Sequence, residues 1–110
     1  MKNSITLQKT EINLDNCTYY WLDKDTFLLY TPQVKDTDED GYACWLEAEW
    51  HEDEQKFVFT VVFEDEDGSM TDSINVTESN KYDKYINNED KEVIKNYMKP
   101  LLTVKDHVLE

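Results

Sequence analysis

The amino-acid sequence predicts an α+β fold: an antiparallel β-meander of about five to six strands followed by a C-terminal helix packed on one sheet face. From residue 3 to residue 77 the apolar residues recur with a period near two, and the breaks between them are rich in Asp and Gly. Beyond residue 79 the period becomes helical. A chain of 110 residues has room for one core. We therefore expect a single domain, with the sheet at about 3–77, a helical region at about 79–99 and a tail at 103–110.

Six apolar runs are the candidate strands: 5–14, 17–22, 26–31, 42–50, 56–64 and 69–77. The first is weak, whereas the run 56–64 carries apolar side chains on both faces, as expected of a central strand. The sequence Asp23-Lys24-Asp25 predicts a hairpin turn, and Pro32 should end the third strand or place it at an edge. Both glycines lie in the tetrapeptide Asp-Glu-Asp-Gly, at 38–41 and 65–68, and predict two further turns.

The last third of the chain predicts one helix. Asn88 precedes a run of acidic residues and should be the N-cap, and the helix should stop before Pro100. A shorter helical turn is expected at 82–86. The apolar residues of the main helix form one stripe that should pack on the sheet, namely Val93, Ile94, Tyr97 and Met98.

Charge limits the partners that the surface can accept. The chain has 25 Asp and Glu against 11 Lys, no Arg, and a formal net charge of −14. This balance repels nucleic acid and anionic membranes and favours basic partners, cations or simple solubility. Without Arg there is no planar fork for bidentate phosphate contacts, so direct nucleic-acid binding is not expected. The missing Arg is typical of proteins encoded by AT-rich bacterial or phage genomes.

The sequence offers little support for a membrane location or for catalysis. It has no apolar run of about 18 residues and no signal-peptide pattern at its start, so we expect a cytoplasmic protein. Cys17 and Cys44 are too few for a disulfide framework or a zinc cluster, and we expect two reduced thiols unless their strands are neighbours. His51 and His107 have no recognisable nucleophile partner, so no enzyme is predicted.

One motif suggests a metal site. Residues 36–47 match the twelve-residue calcium-loop pattern. The residues before it, however, predict a strand where an EF-hand needs a helix, and a strand at 42–50 would carry Glu47 away at about 3.3 Å per residue. We expect a hairpin turn and no cofactor, with calcium as the alternative. The ligands of that alternative would be Asp36, Asp38, Asp40, the carbonyl of Tyr42, and Glu47.

Trp45 is the tryptophan most suited to recognition. Strand alternation places it on the same face as Glu47 and Glu49. An aromatic ring among carboxylates suits a Lys- or Arg-rich partner or a sugar, but the same ring would also suit a position beneath the C-terminal helix. The sequence leaves these alternatives open.

The leading hypothesis is a non-enzymatic binding protein whose acidic edge engages a basic protein surface, as inhibitors, immunity proteins and DNA mimics do. By surface scaling the chain averages one net charge per roughly 450 Å², against roughly 110 Å² for duplex DNA, so the carboxylates must cluster on about a quarter of the surface. The alternative is a calcium- or carbohydrate-binding β module. The expected partner-binding residues are Asp36, Asp38, Glu39, Asp40, Trp45, Glu47, Glu49, Glu64, Asp65, Glu66 and Asp67.

Overall fold

An antiparallel sheet of six strands is the body of the fold in the computed structural model, which describes residues 3–35, 43–64, 67, 70–78 and 84–103. The strands are β1 Ser4–Leu7, β2 Thr10–Asn13, β3 Thr18–Trp21, β4 Thr26–Tyr30, β5 Val34–Lys35, β6 Ala43–His51, β7 Lys56–Glu64 and β8 Met70–Asn75. The main sheet has the order β3-β4-β6-β7-β8, with β5 also paired to β6. Five strands in a meander and a helix packed on the sheet confirm the predicted α+β class. The central position of β7 follows from its two neighbours.

The first apolar run, predicted as one weak strand over 5–14, is two strands. β1 and β2 pair as a separate hairpin with Ser4 opposite Asn13. Its two-residue turn places Gln8 at φ 47° and Lys9 at φ 70°, and two positive φ angles are what a type I′ turn requires. Glycine normally marks such a turn, and its absence here explains why the sequence concealed the hairpin.

The third predicted strand corresponds to β4, which ends at Tyr30, before Pro32, as predicted. The short strand β5 follows it, and the sequence did not reveal this strand. Tyr30 lies opposite Glu47 of β6, and Val34 lies opposite Cys44. Three residues between these pairs therefore face two residues of β6. This count is that of a β-bulge, in which one extra residue bends the strand and interrupts its ladder.

Thr31 holds the interrupted edge together with its side chain. Its backbone N–H donates to the carbonyl of Leu46 at 3.0 Å, and the N–H of Leu46 donates to Thr31 Oγ1 at 3.0 Å. The hydroxyl in turn donates to the carbonyl of Pro32 at 3.0 Å. Thr31 is 2% exposed, so these bonds satisfy groups that water does not reach.

The hydrophobic core lies on one face of the sheet. Alternate residues of the strands supply its largest side chains, among them Trp21, Phe27 and Phe59. The β1–β2 hairpin packs over this face and is tied to the sheet by the amide of Gln8, which donates to Cys44 Sγ at 3.3 Å. The residues that alternate with these along each strand point to the opposite face of the sheet.

The C-terminal helix α1 spans Asn88–Met98 and also covers the core face. Its N-cap is Asn87, so the predicted cap at Asn88 was wrong by one residue. Asn87 has extended backbone, and its side chain accepts the N–H of Asp90 at 2.7 Å. A 3₁₀ helix, Lys99–Thr103, then carries the chain past Pro100.

The helical turn expected at 82–86 falls partly outside the described residues, within which 84 and 85 form a turn. The two Asp-Glu-Asp-Gly turns lie outside them as well, apart from Asp67, and so does the chain from 104 onward. Within the described ranges, the structure has no helix that is both long and apolar enough to cross a membrane.

Candidate functional site

The face of the sheet opposite the core holds the candidate site. Both α1 and the β1–β2 hairpin pack on the core face, so we call the opposite one the open face. Along β6 the buried and half-buried residues alternate, which points Trp45, Glu47 and Glu49 to the open face, as the sequence predicted. Trp45 therefore does not lie beneath the helix. The residues that form the open face include Tyr20, Leu28, Tyr30, Trp45, Glu47, Glu49, Val58 and Val62.

A groove of about 420 Å³ crosses the open face where the β-bulge interrupts the sheet. Its volume is within the roughly 300–1,000 Å³ of typical ligand sites. The bulged segment forms one wall, because a bulge bends its strand and turns side chains in new directions. The groove is lined by Tyr20, Leu28, Tyr30, Thr31, Pro32, Gln33, Trp45 and Glu47.

Aromatic rings and a fixed carboxylate line this groove. Trp45 Nε1 donates to Glu47 Oε2 at 2.9 Å, which fixes the indole and the carboxylate relative to each other. Tyr30 lies directly opposite Glu47 on β4. The ring of Tyr20 meets that of Tyr30 edge to face, with centroids 6.3 Å apart. The groove thus combines three large rings with a charged oxygen pair.

Apolar surface lies beneath and beside these rings. Leu28 is 8% exposed and Val62 is 3% exposed, although both point to the face that the helix leaves uncovered. Each has a large aromatic residue opposite it, since Leu28 lies opposite Tyr20 and Val62 lies opposite Trp45. The open face is therefore a packed surface with an apolar base, suited to recognition through close contact.

Two more carboxylates flank the groove on the open face. Glu49 Oε1 lies 3.0 Å from His51 Nε2, and both side chains are half-buried. Glu64, at the end of β7, accepts the side-chain amide of Gln33 at 3.4 Å. This contact joins the bulged segment to β7 across the start of β6. Glu47, Glu49 and Glu64, all predicted as partner-binding residues, therefore lie on one face.

The acidic side chains are unevenly distributed between the two layers of the molecule. In the described part of the sheet layer, residues 17–78, eleven acidic residues stand against three lysines. In the described part of the covering layer, residues 3–16 and 84–103, five acidic residues stand against five lysines. Among these residues the net negative charge belongs to the sheet layer, and the helix side is balanced.

The charge of the sheet layer extends to both of its ends. At one end the N–H of Glu52 donates to the carbonyl of Asp25 at 2.7 Å, which joins the turns 22–25 and 52–55. At the other end Glu64 closes β7 opposite Ala43, and Asp67 is exposed beyond it. The described carboxylates therefore follow the whole layer and not a single edge.

The remaining predicted site residues divide into two groups. Asp67 is exposed beyond the end of β7. The others lie outside the described residues: Asp36, Asp38, Glu39, Asp40, Tyr42, Asp65 and Glu66. Tyr20 and Tyr30 were not among the predicted partner-binding residues, and sequence reasoning missed the bulge, although Pro32 after an apolar strand was a signal for an interrupted edge.

Of the predicted calcium ligands, only Glu47 lies within the described residues. It is the fifth residue of β6, paired with Tyr30 and Thr60, and it accepts the hydrogen bond from Trp45. At about 3.3 Å per residue, the strand separates it from Ala43 by more than 10 Å of chain. Elsewhere His51, Asp53 and Glu54 place ligand atoms within 4.8 Å of one another, and Glu54 also pairs with a lysine.

Cys17 and Cys44 are not joined in a disulfide. Cys17 precedes β3 and Cys44 lies in β6, and the strand β4 separates them in the sheet. Burial, with a smaller contribution from the charge of Asp15, raises the pKa of Cys17 to about 11. The neutral thiol is therefore favoured, which makes Cys17 a poor nucleophile at neutral pH.

Comparisons of this chain with protein-family models, with curated proteins and with solved structures gave no match. Function is therefore inferred from the chemistry of the open face.

Proposed function

We propose that this protein is a small, non-enzymatic binding protein that engages a basic protein surface in the cytoplasm through its open face. Its mode of action would be that of an inhibitor, an immunity protein or a DNA mimic. The observation that carries the proposal is the acidic sheet layer with an aromatic groove on its open face, set against an electrically balanced helix side.

Charge and aromatic surface make different contributions to such binding. Carboxylates concentrated on one layer steer a cationic partner and raise the rate of association, an effect that salt screens. Large rigid rings supply affinity at short range, because they bury much area with little loss of conformational entropy. Trp45 and Tyr30 lie on the open face beside Glu47, so charge and aromatic surface act on the same partner.

The acidic layer also supports discrimination against other partners. Nucleic acid and anionic lipid carry the same sign of charge as the sheet layer and are repelled by it. A partner that itself binds nucleic acid through Lys and Arg has the complementary charge, which is why a DNA mimic is among the proposed modes.

The test compares two variants with the same net charge. The open-face variant combines Glu47→Gln, Glu49→Gln and Glu64→Gln, whereas the control combines Glu→Gln changes in the covering layer, at 11, 89 and 92. Each replaces three carboxylates by neutral amides of similar shape. Binding of a short oligolysine peptide is measured by calorimetry at low and high ionic strength.

We expect the open-face variant to lose roughly tenfold in affinity at low salt, from about 0.5 kcal/mol per charge. The control should lose less than about twofold, and high salt should remove most of the difference. Equal losses in the two variants would show that net charge alone governs binding and would contradict the proposal.

The groove favours a second candidate, a carbohydrate-binding β module. Tyr20, Tyr30 and Trp45 offer ring faces for stacking, and Gln33 and Glu47 offer polar groups to hydroxyls. A stacked sugar is uncharged, so its affinity should hardly change with salt. Salt-insensitive binding of an oligosaccharide, lost in Trp45→Leu, would favour this candidate.

A further inference from the structure

The groove on the open face has the composition of a receptor for one arginine side chain. We propose, on the basis of the function proposed above, that the basic partner inserts an arginine into this groove, and that the site prefers arginine to lysine. The juxtaposition behind the proposal is the Trp45–Glu47 pair beside the rings of Tyr30 and Tyr20, next to the bulge.

The carboxylate of Glu47 is suited to a guanidinium. Its Oε2 is already fixed by the indole N–H at 2.9 Å, so the group is held in place before any partner arrives. A carboxylate has about four acceptor sites and binds the parallel N–H groups of a guanidinium in a bidentate manner. Fixing this group in advance reduces the entropy lost on binding, which favours a partner with matching geometry.

The rings favour a flat cation. A guanidinium is planar and weakly hydrated and stacks on aromatic faces, whereas an ammonium is compact and strongly hydrated. Trp45 and Tyr30 line the same groove as the carboxylate, so one guanidinium has access to stacking and to charge pairing together. A lysine gains the charge pairing and loses most of the stacking.

The base of the groove suits the aliphatic part of the same side chain. Leu28, which is 8% exposed, and Pro32 both line the groove beside the rings. Long cationic side chains lay their methylene groups on apolar surface and keep the charged end at a polar rim. An arginine lying along Pro32 and the rings would place its methylene groups on apolar surface and its charge near Glu47.

The experiment uses two synthetic peptides of equal length and charge, one of lysine throughout and the other with a single central arginine. Affinities for the full chain are measured by tryptophan fluorescence and calorimetry. We expect the arginine peptide to bind about five- to tenfold more tightly. In Trp45→Leu this preference should fall to about twofold or less, while the affinity for the lysine peptide changes little.

A second variant, Tyr30→Leu, should also reduce the preference for the arginine peptide. The circular dichroism of both variants is compared with that of the parent chain, to show that each is still folded. Glu47→Gln should lower the affinity for both peptides, and the affinity for the arginine peptide should fall more.

The possible failures are distinct. If the two peptides bind equally and salt weakens both, the arginine site is refuted while the proposed function stands. If neither peptide binds at low salt, the proposed function fails and the arginine site fails with it. If the preference persists in Trp45→Leu and in Tyr30→Leu, arginine is recognised outside the groove and the assignment is wrong.

Discussion

Replacing Thr31 by Val tests the structural basis of the groove. Valine has nearly the same shape, so the packing at this buried position is preserved while the hydroxyl is lost. The N–H of Leu46 then loses the acceptor that it has at 3.0 Å, and the carbonyl of Pro32 loses a donor. A buried donor without a partner costs about 1–3 kcal/mol, so we expect Thr31→Val to be destabilised by about 2 kcal/mol.

Urea denaturation followed by far-UV circular dichroism measures this change, and a thermal scan should show a fall in Tm on the order of 10 °C. Thr31→Ser is the matched control, because it keeps the hydroxyl and removes one methyl, at a cost below about 1 kcal/mol. Two results would refute the reasoning: a valine variant as stable as the parent, or a serine variant as unstable as valine.

Three further predictions concern the helix, the alkaline range and calcium. Asn87→Ala should cost about 1 kcal/mol in the free energy of unfolding through loss of the N-cap, whereas Asn96→Ala, at an exposed position in the last turn of the same helix, should cost nothing, as urea denaturation would show. Because burial raises the pKa of Cys17 from 9.0 to about 11, the folded state holds this proton more tightly than the unfolded chain. Stability should therefore fall as pH rises from 9 to 11, less steeply in Cys17→Ala, and an unchanged slope in denaturation curves across this range would contradict it. Calorimetric titration with calcium should show no heat, since Glu47 lies well inside β6; binding lost in Glu47→Gln would overturn this.

Elements with a strong local pattern were predictable from the sequence. β7 was predicted over its full length, 56–64, because its apolar residues occupy both faces and its ends are polar. The position of Trp45 on a face with Glu47 followed from strand alternation alone. These features depend on neighbours along the chain, which the sequence displays directly.

Features that depend on contacts between distant residues were not predictable. The turn at Gln8 and Lys9 adopts positive φ angles without glycine, held in part by the hydrogen bond from the N–H of Gln8 to the carbonyl of Tyr85 at 3.0 Å. The groove depends on the register of β4 and β5 against β6, and on Tyr20 meeting Tyr30 across two strands. No local pattern records a cross-strand register, so the site could be predicted only in part.

The composition suggested that the carboxylates gather on one part of the surface, but it could not show which part. A net charge of −14 is the same whether the carboxylates are scattered or gathered. The described residues show that the net negative charge lies in the sheet layer, and a basic partner is therefore expected to approach from that side.

The most direct measurement of the central claim is the footprint of a basic peptide on the protein by NMR. The arginine-containing peptide is added to isotopically labelled chain, and the shifts of the backbone amides and the tryptophan indoles are followed. We expect the largest changes at Tyr20, Tyr30, Trp45 and Glu47, with the helix Asn88–Met98 unaffected. Changes centred on that helix, or spread evenly over all the carboxylates, would contradict the account.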